Sequence, residues 1–288
     1  MKQQPQLLDT LEARAYTGGS SSKPRLHLDG SILYVTGVDI GSASSKALIL
    51  EKGEVVEHAI LPTGAESASS AERVMEMVLR QAGLALDDIS YIVSTGYGRV
   101  IVPFADEEMT ELSCHARGAH RLFPEARTVL DMGGQDCKAI RCDEQGRLGD
   151  FAMNDKCAAG TGRFLELTAG RLGVEIGNLG ERVLANGAEE QITSTCTVFA
   201  ESEIISLISL GADVDAILRG LHRSLVGRTV AMVRSIAWAP PLMLSGGVAL
   251  NDGVRVMICE ALGEPVTVPA QPQLTGAYGA ALLALERP

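Results

Sequence analysis

A chain of 288 residues, 46% hydrophobic and 21% charged, is long enough for two lobes with substantial cores and has the composition of a globular protein. A net charge of −11 argues against a nucleic-acid partner, which needs clustered Lys and Arg, and no apolar run reaches the roughly 18–20 residues of a membrane span. Met1-Lys2-Gln3-Gln4-Pro5 lacks the apolar core of a signal peptide, so the expected location is the cytoplasm, where six cysteines are thiols or metal ligands rather than disulfides.

Residues 1–30 read as an N-terminal extension, with a short helix over 7–13 and a flexible linker over 17–24. A first lobe is expected over 31–128. Ile32-Leu33-Tyr34-Val35 and Ala47-Leu48-Ile49-Leu50 read as strands. Residues 69–82 have helical spacing (Ala71, Val74, Met75, Val78, Leu79) and stop at Gly83. Tyr91-Ile92-Val93 is a strand leading into Ser94-Thr95-Gly96-Tyr97-Gly98-Arg99, and 110–122 reads as a helix. A second lobe is expected over 129–275. Thr128-Val129-Leu130 and Ala139-Ile140-Arg141 are its first strands, and helices follow over 163–172 and 198–210, the latter stopped by Gly211. Residues 211–238 make one or two helices. Leu242-Met243-Leu244 is a strand running into Ser245-Gly246-Gly247. The last helix, 276–286, packs back on the first lobe. Strands alternating with helices mean an α/β fold.

The chain contains an internal echo. Val38-Asp39-Ile40-Gly41-Ser42-Ala43-Ser44-Ser45-Lys46-Ala47 and Leu130-Asp131-Met132-Gly133-Gly134-Gln135-Asp136-Cys137-Lys138-Ala139 coincide at Asp, Gly, Lys and Ala when one is shifted by 92. Each reads as strand, acidic-glycine turn, strand. With Ser245-Gly246-Gly247 they resemble the two phosphate loops and the adenosine loop of actin, the sugar kinases and the heat-shock ATPases. No Gly-x-x-x-x-Gly-Lys-Ser/Thr loop is present, and no Gly-x-Gly-x-x-Gly follows a strand. The expectation is an actin-like ATPase fold, with duplicated ribonuclease-H-like lobes around a nucleotide cleft. Gly41, Gly133, Gly134, Gly246 and Gly247 let backbone approach the nucleotide, and Ser42, Ser44 and Lys46 offer donors to its phosphates. Asp39 and Asp131 would hold Mg²⁺ through water, and Gln135 would orient the attacking water beside Asp131. Lys138 reads equally as a phosphate ligand or as part of a solvated strand face.

Cys157 and Cys196 each precede an amphipathic helix, where the macrodipole and free N–H groups favour a thiolate or an anionic cluster. Two thiolates are too few for a four-ligand cluster, a shortage that a symmetric dimer would resolve. The bland alternative is two small buried residues. Cys137 and Cys142 fall on one strand, Cys114 adjoins His115 in a helix, and Cys259 precedes another helix; all four read as structural.

The long motifs Met153 through Phe164 and Ser194 through Glu203 resemble the activator ATPases of 2-hydroxyacyl-CoA dehydratases and the ATPase subunits of benzoyl-CoA reductase. So do Thr95-Gly96-Tyr97-Gly98-Arg99, Glu111-Leu112-Ser113-Cys114-His115-Ala116, Asp131 through Asp136, Gly246-Gly247-Val248-Ala249 and Gly276-Ala277-Tyr278-Gly279-Ala280. That resemblance implies a dimer of actin-like chains, a homodimer or a heterodimer with a paralogue. It implies one shared [4Fe-4S] cluster, with Cys157 and Cys196 as this chain's ligands. It further implies ATP and Mg²⁺ as cofactors, a ferredoxin or flavodoxin donor, and delivery of a low-potential electron to an acyl-CoA dehydratase or aryl-CoA reductase component. The rival readings are a small-molecule kinase of the same fold, with Asp136 as base, and an actin-like filament or scaffold.

Overall fold

The computed structural model describes residues 33–185, 187–193 and 197–287. The helix expected over 7–13, the linker over 17–24 and Cys196 lie outside the described residues. The chain divides at 121/122 and 273/274: of the described residues, those up to Arg121 form a first unit with those from Leu274 onward, and those between Leu122 and Gln273 form a second.

The first unit is built on a sheet of β1 (Tyr34–Ile40), β2 (Ser44–Glu51), β3 (Glu54–Pro62), β4 (Ile89–Thr95) and β5 (Glu107–Glu108), in the order β3-β2-β1-β4-β5. The second contains β6 (Thr128–Met132), β7 (Cys137–Cys142), β8 (Leu148–Asn154), β9 (Leu242–Ser245) and β10 (Val266–Thr267), in the order β10-β9-β6-β7-β8. The two orders are the same when each hairpin is matched with its echo. In both units the first two strand pairs are antiparallel, and the fourth strand runs parallel to the first. The 92-residue echo is therefore an architectural repeat and not a coincidence of turns.

Alternation along β1 sets its two faces. Val38 and Ile40, with Ala47 and Ile49 of β2, pack against Ala71, Val74, Met75 and Val78 of α1 (Ser67–Ala82). Val35, Leu48 and Leu50 face the other way, toward Ala277, Ala281 and Leu282 of α8 (Thr275–Leu285) and Cys114 of α2 (Glu111–Leu122). A β-carbon at Gly37 would lie 2.0 Å from the Ala277 carbonyl oxygen, and one at Gly279 would lie 1.7 Å from that of Cys114. Only glycine permits such backbone contact, so α8 lies flush on both β1 and α2.

In the second unit, Leu130, Met132 and Ala139 form one sheet face. It shares one core with residues of α3 (Gly162–Leu172), α4 (Leu179–Ala185), α5 (Thr197–Ser209), α6 (Val214–Ser235) and α7 (Asp252–Leu262), α6 lying on β7 and β8 and α4 packing on α6 and α7. Among the described residues no helix is long and apolar enough to cross a membrane.

The structure corrects several readings. Asp39 and Asp131 lie inside β1 and β6, not in the turns after them, because both hairpins keep pairing through these residues. β3 and β8 were not anticipated: both are edge strands whose exposed faces interrupt the apolar pattern. Residues 214–235 form one helix, opened by Asp213, whose carboxylate accepts from the Ala216 N–H at 3.1 Å. Cys259 lies within α7 rather than before a helix.

His222 of α6 is wholly buried. Its Nδ1 lies 2.8 Å from the Leu218 carbonyl and its Nε2 lies 2.9 Å from the Asn251 amide nitrogen, with Asn251 in turn capping α7. The donor set assigns the proton to Nδ1 and makes Nε2 the acceptor. Burial lowers the His222 pKa below 6.5. The unfolded chain takes a proton near that pH that the folded chain refuses. This contribution to stability is complete above pH 6.5 and declines below it, with a slope of at most about 1.4 kcal/mol per pH unit for one proton. Urea melts at pH 7.5, 6.5 and 5.5 should show that loss, and His222→Gln should flatten it.

Candidate functional site

The echoed hairpins place the same chemistry in each unit. Asp39 is the register partner of Lys46, and Asp131 of Lys138. The Lys46 ammonium lies 3.1 Å from Asp39 Oδ2, and that of Lys138 lies 3.4 Å from Asp131 Oδ2. Each turn is closed by an equivalent bond: Gly41 N–H donates to the Ser44 carbonyl at 3.1 Å, and Gly133 N–H to the Asp136 carbonyl at 2.9 Å. Ser42 and Ser44 are partly exposed, and Gln135 is exposed at the tip of the second turn. Thr63 braces the first turn, its hydroxyl donating to the Gly41 carbonyl at 2.8 Å. Lys138 is 2% exposed, which corrects its reading as a solvated face.

The parallel neighbour completes each half. Thr95 pairs with Asp39 and Ser245 with Asp131. The next residues, Gly96 (φ +85°) and Gly246 (φ +84°), turn the chain over the aspartate. A β-carbon at Gly96 would sit 2.4 Å from Asp39 Oδ1, and one at Gly246 would sit 3.0 Å from Asp131 Oδ1 and 2.3 Å from the Met132 carbonyl oxygen. The left-handed backbone and the absent side chain are both required. Ser245 Oγ donates to Asp131 Oδ1 at 2.9 Å. Gly246 N–H donates to the Pro272 carbonyl at 3.0 Å, and Gly247 lies near the Gln273 amide. The Ser/Thr-Gly step at the end of the parallel strand thus extends the repeat to two motifs that the sequence marked separately and did not match with each other. Its signal was present in Thr95-Gly96 and Ser245-Gly246.

In the first unit, His115 of α2 belongs to the same surroundings. A β-carbon on Gly276 would meet His115 Nε2 at 2.9 Å and Asp39 Oδ2 at 3.0 Å. Sequence spacing did not reveal this, because the approach depends on how α8 lies across β1.

Cys157 lies in the turn between β8 and α3 and is exposed. Asn154 holds that turn at both ends: its side chain donates to the carbonyls of Cys157 (2.8 Å) and Ala159 (3.2 Å) and accepts from the Cys157 N–H (3.1 Å). Five residues on, the first amides of α3 dock onto the second turn. Gly162 N–H donates to the Gly133 carbonyl at 2.9 Å, and Arg163 N–H to the Gly134 carbonyl at 2.7 Å. No spacing rule links residues 133 and 162; only the folded chain does.

The buried cysteines are poor ligands. Desolvation pushes Cys114 up to about 12 and Cys142 up to about 11, and it raises Cys137 further with help from Asp131. Among the described residues no three His, Cys, Asp or Glu side chains are grouped to hold a metal ion. Cys157 fits a cluster ligand, with an exposed sulfur in a braced turn. Asp39 and Asp131 fit Mg²⁺ binding through water, each being a carboxylate at the end of a strand beside a glycine turn.

Residues 36–284 match the BadF/BadG/BcrA/BcrD ATPase family. The chain is 43% identical, over 88% of its length and 96% of the relative's, to a 2-hydroxyisocaproyl-CoA dehydratase activator from Clostridioides difficile. It is 33% identical, over 85% of its length and 91% of the relative's, to a subunit of the benzoyl-CoA reductase from Thauera aromatica. A solved structure of the activator of the 2-hydroxyisocaproyl-CoA dehydratase from Clostridium difficile, with bound ADPNP, superposes with a TM-score of 0.84 at 44% identity, covering 88% of this chain and 95% of that one. A glucokinase of the ROK family from Streptomyces griseus shares the fold alone, with a TM-score of 0.57 at 15% identity over 88% of this chain and all of its own.

Proposed function

The chain belongs to the BadF/BadG/BcrA/BcrD ATPase family, and from that premise we propose that it is the ATP-hydrolysing activator of an acyl-CoA dehydratase, driving a low-potential electron into that partner enzyme. The higher identity to a dehydratase activator than to the reductase component favours the activator reading. The first turn, with Gly41, Ser42, Ser44 and Lys46, and the second, with Gly133 and Gly134, bind the phosphates of ATP. Gly246 and Gly247 admit the adenosine. Asp39 and Asp131 hold Mg²⁺ through water, and Gln135 orients the attacking water next to Asp131. Cys157 and Cys196, with the same pair from a second chain, hold a [4Fe-4S] cluster, which supplies a one-electron carrier when bound. A homodimer provides that second pair, a cytoplasmic ferredoxin or flavodoxin is the electron donor, and the dehydratase is the acceptor.

One observation carries this reading. The turn bearing Cys157 is five residues from the amides that bond the second phosphate turn. A change at Gly133 and Gly134 on nucleotide exchange is therefore passed by backbone hydrogen bonds to α3 and the segment before it. Couplings between sites are typically about 1–3 kcal/mol. That is roughly 40–130 mV for one electron, so gating and hydrolysis contribute more than a shift in potential.

The test is iron and acid-labile sulfide on protein purified without oxygen, with an EPR spectrum after dithionite reduction. The expected result is about four irons per two chains and the signal of a reduced cluster. Iron-free protein that still binds ATP would overturn the electron-transfer reading and favour a kinase of this fold.

A further inference from the structure

We propose that the two echoed lysines have parted company: Lys46, paired with Asp39 but partly exposed beside the first turn, meets a phosphate, whereas Lys138 is a positioning residue that holds the carboxylates of Asp131 and Asp136 in place. The proposal rests on the ATPase reading of the two turns. The difference traces to one position of the repeat. Shifted by 92, Ser44 of the first turn corresponds to Asp136 of the second. In each half this residue lies two before the lysine, Ser44 as the first residue of β2 and Asp136 just before β7. Ser44 offers no charge, and Lys46 pairs with Asp39 while keeping 11% of its side chain exposed. Its ammonium lies 3.0 Å from where a β-carbon on Gly41 would sit, directly against the first turn.

Asp136 reverses that arrangement. Its Oδ2 takes the Lys138 ammonium at 2.8 Å, closer than Asp131 does at 3.4 Å, and the Lys138 side chain is left 2% exposed. Asp136 Oδ1 also occupies the space beside Gly133, 2.3 Å from where a β-carbon there would be. The place Lys46 takes beside Gly41 is thus filled in the second turn by a carboxylate, and the second lysine is drawn beneath it. A buried ammonium between two carboxylates is strongly held, because releasing it would leave unpaired charge in a low-dielectric setting. It fixes the Asp131 carboxylate, which also accepts from Ser245 at 2.9 Å. Asp136 therefore acts as bolt to the turn, not as a catalytic base.

The experiment compares Lys46→Met, Lys138→Met and the double variant Lys138→Met/Asp136→Ser, which gives the second turn the residue found in the first. ADP affinity is measured by calorimetry at saturating Mg²⁺, ATP turnover by phosphate release, and unfolding by thermal melts without nucleotide. Lys46→Met should weaken ADP at least tenfold. Lys138→Met should leave ADP affinity within about threefold, reduce turnover at least tenfold and lower the melting temperature. The double variant should recover most of the lost melting temperature, since no carboxylate remains at 136 to go unpaired. Loss of ADP affinity in Lys138→Met equal to that in Lys46→Met would make Lys138 a phosphate ligand and overturn the proposal. Failure of the double variant to recover stability would overturn it as well. A parent protein that binds no ADP would instead remove the ATPase reading, and the melts would still decide whether Asp136 holds Lys138.

Discussion

Cys157→Ala should reduce bound iron to background while ADP affinity stays within about threefold of the parent. The argument is local. The Cys157 side chain is exposed, and the bonds that shape its turn come from elsewhere. Asn154 binds the backbone at 157 and 159, and Thr161 closes the following turn by donating from its hydroxyl to the Ala158 carbonyl at 2.7 Å. Removing one sulfur therefore leaves α3 docked on the second turn. On the proposed reading two chains share the cluster, which would lose two of its four ligands at once, so the loss should be complete and not graded. Anaerobic iron and sulfide analysis, run beside calorimetry with ADP, checks both halves of the expectation. Full iron in the variant would return Cys157 to an ordinary surface residue.

How much of this was legible in the sequence depends on the range of the interaction. The Asp-x-Gly turns and the Lys seven residues after each Asp are local, and a hairpin register delivers them as Asp39 opposite Lys46 and Asp131 opposite Lys138. The helix over 67–82 declared itself through its apolar stripe and Gly83. β3 did not, because Glu54, Glu57 and His58 interrupt its apolar residues and it forms the outer edge of its sheet. The burial of Lys138 was hidden for another reason. A lysine on a strand is usually solvated, and only the proximity of Asp136 and Asp131 makes an inward ammonium tolerable. His115 beside Asp39 was hidden by distance along the chain: the approach needs Gly37, Gly118, Gly276 and Gly279 together to bring α8 against β1 and α2. Periodicity finds elements, but it does not find which backbones touch.

The second large effect is expected at Gly162, whose amide joins α3, after the Cys157 turn, to the second glycine turn. A β-carbon there would lie 3.1 Å from the Gly133 carbonyl oxygen, 3.3 Å from Gly134 Cα and 3.3 Å from a Val248 methyl. Alanine is tight at those distances and should be tolerated with a small shift. Valine adds two further carbons with no room for either, so α3 must withdraw and the Gly162 and Arg163 bonds to the second turn are lost. Two hydrogen bonds at about 1 kcal/mol each, plus overpacking of about 1 kcal/mol or more, sum to about 3 kcal/mol. Expressed in the hydrolytic step, that is a fall of roughly a hundredfold in ATP turnover for Gly162→Val, against a few-fold for Gly162→Ala. Iron should be retained, because Asn154 braces Cys157 independently of α3. The two substitutions then separate what the fold joins: Cys157→Ala keeps the nucleotide and loses the iron, while Gly162→Val keeps the iron and loses turnover. Parallel loss of iron and turnover in Gly162→Val would mean that α3 holds both turns in place. Unchanged turnover would mean that the amides at 162 and 163 carry no coupling.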